Sequence, residues 1–357
     1  MEKIRFGIMG YGKVAGLHVQ ALAAVEGCEL AAVCGRDQAK AEAFAARHNI
    51  AAFTSLEKMV NEQQLDAVII ATPHLQHCEH SIAALEAGAH VLVEKPMALS
   101  TEACDAMIAA ASRCGRTLGV ISQRRWFPAA RRVREAIDAG KIGAPALGQV
   151  IMLGWRDEAY YRSDPWRGSW SGEGGGVLAN QAPHQLDLIQ WFMGPIEEVC
   201  AYWDNLNHPY IEVEDTAIAI FRCKNGALGN ILVSNSQKPG IYAKVHLHGR
   251  SGASAGVQTD GGAMFVAGMS SIVEPAFNDI WTIPGEEALP AQWRQEDEAL
   301  FRRIDPTSYF HTLQFADFAD AIRHRRAPAV DGIEGRKSVA LIEAIYRSGR
   351  ERRPIKL

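Results

Sequence analysis

His90-Val91-Leu92-Val93-Glu94-Lys95-Pro96 begins as a short apolar run, with Gly88 before it, and ends in a charged pair stopped by Pro96. A brief uninterrupted apolar stretch of this kind reads as a strand buried on both faces, as parallel sheets require. In open α/β sheets the ligand crevice lies outside the carboxyl ends of the strands. Lys95, beside Glu94, therefore falls where a ligand would be met. A surface ion pair at a strand end is the bland alternative and would contribute little.

Working towards the N-terminus, the same pattern recurs. Ala67-Val68-Ile69-Ile70-Ala71 is a buried strand that runs into Thr72-Pro73-His74-Leu75-Gln76-His77 and then a helix to about Ala87. Ile4 to Met9 reads as the first strand. Gly10-Tyr11-Gly12-Lys13-Val14-Ala15 follows, and a helix runs on to about Val25. This is a G-x-G-x-x-A turn between strand and helix. Gly10 serves the tight turn, Gly12 admits a pyrophosphate to the backbone, and Ala15 lets helix and strand pack closely. The helix N-terminus offers free N–H groups and a positive dipole end. The turn from Gly10 through Tyr11, Gly12, Lys13 and Val14 is thus a dinucleotide site.

The second strand, Glu29 to Cys34, ends in Gly35-Arg36-Asp37. An acidic residue here holds the ribose 2′-hydroxyl of NAD, whereas an arginine accommodates the 2′-phosphate of NADP. Arg36 favours NADP. Asp37 reads as the N-cap of a helix Gln38 to His48; if it takes the ribose instead, the cofactor is NAD. Thr72 to His77 reads as a turn lining the cofactor. The three-residue spacing of His74, His77 and His80 has no carboxylate or cysteine companion nearby, so no metal is expected. With a helix Thr101 to Cys114 and a strand Thr117 to Ser122, alternating strands and helices define a doubly wound parallel sheet.

The chain has 357 residues and a formal charge of −4, with charges mixed along its length. That length suggests two domains, divided here as 1–122 and 123–357. Nothing resembles a basic stripe for nucleic acid, an apolar run for a membrane or a signal peptide. The seven cysteines are scattered, without a C-x-x-C pair. They fit structural thiols in a reducing cytosol, and a cytoplasmic location is expected.

Taken together, Gly10-x-Gly12-x-x-Ala15, Thr72-Pro73 with His77, Ala84-Leu85-x-Ala87-Gly88-x-His90 through Pro96, Gln123-Arg124-Arg125-Trp126, the glycine run Gly174 to Gly176 with Asn180, His184 and Asp187, and Asp331-Gly332-x-Glu334-Gly335-Arg336 resemble the family of glucose-fructose oxidoreductase and inositol dehydrogenase (Gfo/Idh/MocA) over nearly the whole chain. The resemblance implies an α/β Rossmann domain followed by an α+β domain with a large, mostly antiparallel, open-faced sheet. One face of that sheet would line the substrate site and the other would make subunit contacts, so a homodimer or homotetramer is expected. It implies hydride transfer between a nicotinamide and a secondary alcohol or ketone of a sugar, glycoside or polyol. Lys95 would hydrogen-bond the reacting oxygen. Cofactor contacts would also come from Thr72, Pro73, His74, His77, Glu94 and Gln123, and from the pair Trp166-Arg167 of the second domain.

In that second domain Pro128 to Ala139 reads as a basic helix with a solvated face. Trp155 to Gly168 is dense in aromatic and charged residues without apolar periodicity, which suits a binding loop. Arg156, Tyr160 and Tyr161 are the substrate candidates there. Asn180 and His184 lie four apart and would share a helix face. Many family members carry aspartate where this chain has Asn180, which cannot transfer a proton at neutral pH. A sugar-dehydrogenase subset carries the same Asn-Gln pair. His184 then becomes the acid/base, with Asp187 orienting it or pairing elsewhere. His311, at the start of a helix Phe310 to His324, is a further substrate candidate by resemblance. Asn225-Gly226 marks a hairpin between two strand-like runs. Residues 257–303 read as irregular sheet-edge loops. Two rivals stand beside the dehydrogenase: a glycosidase that recycles its cofactor, and a cofactor-binding regulator without turnover.

Overall fold

The computed structural model describes residues 3–260 and 272–357. The chain forms two compact units, Met1–Gln123 with Thr307–Val339, and Arg124–Pro306 with Ala340–Leu357.

The first unit holds a six-stranded parallel sheet of β1 (Ile4–Met9), β2 (Cys28–Cys34), β3 (Ala51–Phe53), β4 (Ala67–Ile70), β5 (His90–Val93) and β6 (Leu118–Val120), in the order β3-β2-β1-β4-β5-β6. This is the doubly wound order, with its switch point between β1 and β4. All four residues of β4 are buried, as a sheet covered on both faces demands. Helices start where the side chains supply caps. Asp37 accepts from the Lys40 amide at 3.1 Å, and Ser100 accepts from Ala103 at 3.2 Å. The short strand β3 and the helix Leu56–Glu62 go beyond the sequence reading, being too short to show a period.

The division at residue 122 does not hold for Thr307–Val339. The helix Tyr309–His324 returns to the first unit, and Phe315 and Phe318 are buried in one core with Phe6, Ile8, Leu22 and Phe44. Gln314 hydrogen-bonds the backbone around β6, donating to the Val120 carbonyl at 2.7 Å and accepting from the Ser122 amide at 2.9 Å. Two phenylalanines and a bridging amide would lose both their burial and their partners if that segment left.

The second unit holds a seven-stranded sheet of β7 (Pro145–Leu153), β8 (Ile196–Asp204), β9 (Thr216–Cys223), β10 (Leu228–Ser234), β11 (Tyr242–Gly249), β12 (Ser254–Asp260) and β13 (Ile355–Lys356), in the order β12-β11-β7-β10-β9-β8-β13. Among the described strands of this second sheet, β7 and β10 alone pair in parallel. Asn225-Gly226 turns β9 into β10, with Gly226 at φ 81°. Strand β9 alternates buried and outward residues, so one face of the sheet is open.

Two expectations fail here. The stretch 257–303 is not all loop: the end of β12 and a helix Leu289–Phe301 lie in it, while residues 261–271 fall outside the described part. That helix is anchored by polar and aromatic contacts, which apolar periodicity does not register. Asp297 is buried and accepts from both outer nitrogens of Arg132, at 2.6 and 2.9 Å. Arg132 is accordingly half-buried in an ion pair, while Arg131 of the same helix is exposed as a solvated face requires.

Candidate active site

At the amino end of the first helix, Lys13–Ala23, the two glycines play separate parts. Gly10 has φ +110°, and a Cβ there would sit 2.6 Å from the Ala71 carbonyl oxygen. Only glycine is tolerated in that position. Around Gly12, in contrast, a Cβ would meet nothing within 4 Å. Open room therefore faces the helix N-terminus, as a pyrophosphate needs. Ala15 is completely buried, consistent with close helix–strand packing.

Tyr11 roofs the end of β2. A Cβ on Gly35 would lie 2.1 Å from its ring, and its hydroxyl accepts from the Asp37 amide at 3.3 Å. Asp37 caps the helix Gln38–His48, as read from the sequence, so its Oδ1 is already engaged by the Lys40 amide. Arg36 is exposed beside it.

His77 is completely enclosed. Its Nδ1 lies 2.7 Å from the Pro96 carbonyl oxygen and its Nε2 lies 2.8 Å from that of Thr72. Burial lowers its pKa, and the two carbonyls oppose that shift because each accepts only from N–H. Both ring nitrogens face backbone carbonyl oxygens, so the His77 ring lies between the turns after β4 and β5 and donates its one N–H to one of them. Thr72 Oγ1 is paired with His80 Nδ1 at 3.1 Å, and the His74 ring stands edge-on to His77 at 5.7 Å.

The charged pair after β5 is organised around Glu94. Its Oε1 lies 2.8 Å from His18 Nε2, and its Oε2 accepts from the Lys95 amide at 3.0 Å. Burial favours the neutral acid, but the bond from His18 and the nearby charges prevail and bring the carboxyl down to about 2. Glu94 is thus a buried anion at the ligand end of the sheet, and Lys95 beside it is half-buried. His311 packs its ring 5.6 Å from that of His18. Burial and His18 together push its pKa down to about 3 against the pull of Glu94. His311 is therefore a neutral buried ring next to Glu94 and His18. Gln123 Oε1 is buried without a hydrogen-bond partner among the described residues, an acceptor that suits a carboxamide N–H.

The second unit, taken by itself, holds a polar network centred on Tyr160. Its hydroxyl meets the amides of Asn180 at 3.0 Å and Gln181 at 2.9 Å, and also bonds Arg167. Glu173, itself buried, accepts from Asn180 and, at 2.7 Å, from the Gly168 amide. The guanidinium of Arg167 lies 4.3 Å from the centre of the Tyr160 ring and 4.5 Å from that of Trp166. Burial pushes the Tyr160 phenol up to about 12. Arg156, Tyr160 and Tyr161 are all buried. Tyr160 and Tyr161 lie on a short helix, Glu158–Arg162, and not in the loop read from the sequence, and all three side chains are packed. Asn180 and His184 stay half-buried.

Asn180 ends a short helix, Val177–Asn180, and His184 opens the next, Pro183–Met193. They do not lie on one continuous helix face. Asp187 pairs elsewhere, the alternative left open by its sequence: Arg125 Nε donates to Oδ2 at 2.8 Å and Nη2 to Oδ1 at 2.6 Å. The glycine run is explained by packing. A Cβ would lie 2.1 Å from the Tyr346 hydroxyl at Gly175, and 1.8 Å from the Glu214 carbonyl oxygen at Gly176. Glu214 accepts from Gly176, Leu178 and Tyr346 at 2.9, 3.0 and 2.9 Å. Sequence reasoning missed His18, Glu173 and Glu214, since no motif marks a residue whose partners are remote in the chain.

Residues 4–122 match the family model described as an oxidoreductase family with an NAD-binding Rossmann fold, and residues 130–255 match the GFO/IDH/MocA C-terminal domain. The chain is 31% identical to the WlbA dehydrogenase from Bordetella pertussis, solved with NADH and UDP-GlcNAcA, with a TM-score of 0.83 over 100% of this chain and 99% of that one. It is 25% identical to the myo-inositol 2-dehydrogenase of Thermotoga maritima over 99% of this chain and 98% of that protein. It is also 32% identical to 1-carboxy-3-chloro-3,4-dihydroxycyclohexa-1,5-diene dehydrogenase of Comamonas testosteroni, over 65% of this chain and 58% of that relative's length. Among these relatives the match thus ranges from little more than half to nearly all of the partner protein.

Proposed function

Because this chain belongs to the Gfo/Idh/MocA oxidoreductase family, we propose that it is an NAD(P)-dependent dehydrogenase or reductase acting on a secondary alcohol or ketone of a sugar, glycoside or polyol. The observation that carries this reading is the placement of Glu94-Lys95 at the carboxyl end of β5, in a sheet whose β1 end bears the open turn at Gly12. The residues fit a dinucleotide. Gly12 and the helix N-terminus would hold its pyrophosphate, and Gln123 would accept from its carboxamide. When bound, the nicotinamide supplies the hydride acceptor or donor.

The chain's own work is electrostatic and protonic. Lys95 is assigned the hydrogen bond to the reacting oxygen, stabilising the negative charge that develops there. His184 is assigned the hydroxyl proton, since Asn180 cannot carry one. Arg167, stacked on Tyr160 and Trp166, is assigned to the cofactor side. NADP is the favoured nucleotide, because Asp37 is spent on its helix cap while Arg36 is exposed.

A homo-oligomer assembled through the open face of the second sheet fits this family reading, and the cytoplasm is the assigned location. No helix among the described residues is long and apolar enough to cross a membrane. On the open face Tyr202 (75% exposed) stands opposite Ile218 (53%), and Ile220 (63%) lies two residues on.

The experiment is absorbance at 340 nm with NAD and NADP separately, against inositols, aldoses, glycosides and a UDP-linked sugar acid. A rise with one substrate class supports the dehydrogenase. Confirmed nucleotide binding with no rise on any substrate overturns it in favour of a recycled-cofactor or regulatory role.

A further inference from the structure

His18 is completely buried on the helix Lys13–Ala23, against Phe315 with ring centres 5.3 Å apart, and its charged neighbour is Glu94. Placing a polar ring and a carboxylate in such surroundings is costly unless each satisfies the other. For stability alone a buried pair of this kind usually contributes little or nothing relative to apolar residues of the same size. Its geometry is specific, however. One carboxylate oxygen takes His18 Nε2 and the other takes the Lys95 backbone amide. The carboxylate is therefore held from one side by the first helix and grips the lysine's main chain on the other.

His18, Glu94 and His311 bring ligand atoms within 4.8 Å of one another. The 2.8 Å contact between His18 and Glu94 is nevertheless a direct hydrogen bond. Two ligands bound to one ion at about 2.1 Å each would stand further apart than that.

We propose that His18 is a positioning residue that ties the dinucleotide turn to the alignment of Lys95. The inference rests on the dehydrogenase reading in that Lys95 acts on the reacting oxygen. The helix capped by Gly12, where the pyrophosphate would sit, carries His18 about 9 Å further along its axis. A helix is a rigid element, so one body fixes both the phosphate site and the clamp on Glu94. Without the imidazole, Glu94 loses its principal donor, and its carboxylate turns to the cation that still acts on it, the Lys95 ammonium. That move draws the lysine out of register and raises its pKa.

The test compares His18→Leu with His18→Gln, whose amide reaches Glu94 as a donor. In wild-type protein and both variants we would measure kcat, substrate KM, nucleotide affinity and the rate at which acetic anhydride acylates Lys95, quantified on its peptide by mass spectrometry. The leucine variant is expected to lose about tenfold or more in kcat, with KM and nucleotide affinity within about threefold. Its Lys95 acylation should slow about threefold or more. The glutamine variant should recover at least half of each loss on a logarithmic scale. A leucine variant with kcat and acylation within about twofold of wild type overturns the proposal. So do equal losses in both variants, which indicate packing alone. If the leucine variant does not fold, His18→Asn, too short to reach Glu94, takes its place. If the wild-type protein turns over no substrate, the dehydrogenase reading fails by itself. Acylation then decides the matter: slowing restored by glutamine supports the clamp, and an unchanged rate overturns it.

Discussion

The ring of His77 spans the carbonyl oxygens of Thr72 and Pro96, at 2.8 and 2.7 Å, and so links the turn after β4 to the turn after β5. Two loops that would otherwise move separately at the ligand end of the sheet are held by one buried side chain. His77→Phe keeps the ring volume and removes the ring N–H. It is expected to destabilise the protein by about 1–3 kcal/mol, since the neutral ring donates one N–H and a buried carbonyl loses its donor. Urea denaturation followed by fluorescence reads this directly, and a change under ~0.5 kcal/mol would show that the brace is dispensable.

Lys95→Met retains the aliphatic stem and deletes the charge. Under the proposed mechanism kcat falls by about a thousandfold, the range seen when an oxyanion-stabilising donor is lost. Nucleotide affinity should stay within a few-fold of wild type. Steady-state kinetics with nucleotide titration separates the two, and a mutant with most of its kcat removes Lys95 from the mechanism.

Arg36 is exposed beside an aspartate already committed to its helix. Arg36→Ala should raise KM for NADP about tenfold or more, the loss of one charge-assisted contact. KM for NAD should change little. Equal effects on both nucleotides would argue against a 2′-phosphate contact.

His311 has a folded pKa of about 3 against an ordinary value of 6.5, principally through burial. Its folded value is depressed, so the unfolded chain binds the extra proton first as pH falls. The stability this neutral ring contributes is complete above pH 6.5 and is lost progressively as pH drops towards 3. His311→Phe should flatten that part of the stability curve by up to about 1.4 kcal/mol per pH unit. Denaturation midpoints collected from pH 7 to pH 4 give the comparison. An unchanged slope would mean that His311 is protonated in the folded protein.

The open sheet face carries Ile220, 63% exposed, on the strand next to Tyr202. A charge there opposes burial in an assembled interface and costs nothing on an exposed surface. Ile220→Glu should lower the sedimentation-derived mass towards that of a single chain without lowering the Tm of the monomer by more than a few degrees. A wild-type protein that sediments as a monomer at micromolar concentration contradicts the homo-oligomer.

Much of the first unit was legible in the chain because its signals are local. Ile4–Met9, Gln38–His48 and Thr101–Cys114 coincide with their sequence readings, and Asp37 caps as its position before an alanine-rich run implies. Strands buried on both faces announce themselves as apolar runs, and a helix cap lies within three residues of what it caps. Local periodicity is the information a single chain carries most directly.

What tertiary structure alone decided is which polar residues pair. Phe315 and Phe318 look like any apolar helix face, and only the fold assigns them to the core of the first unit. Glu94 needed His18, 76 residues away, and Asp187 needed Arg125, 62 residues away. Glu214 needed Tyr346, 132 residues away. Arg156, Tyr160 and Tyr161 read as loop residues open to a ligand, and packing buried them. The sequence determined the elements, the dinucleotide turn and the lysine at the strand end, because these follow from spacing along the backbone. Partners of buried charges do not, because a hydrogen bond is set by distance in space. A buried polar group must find its partner wherever the closed chain brings one.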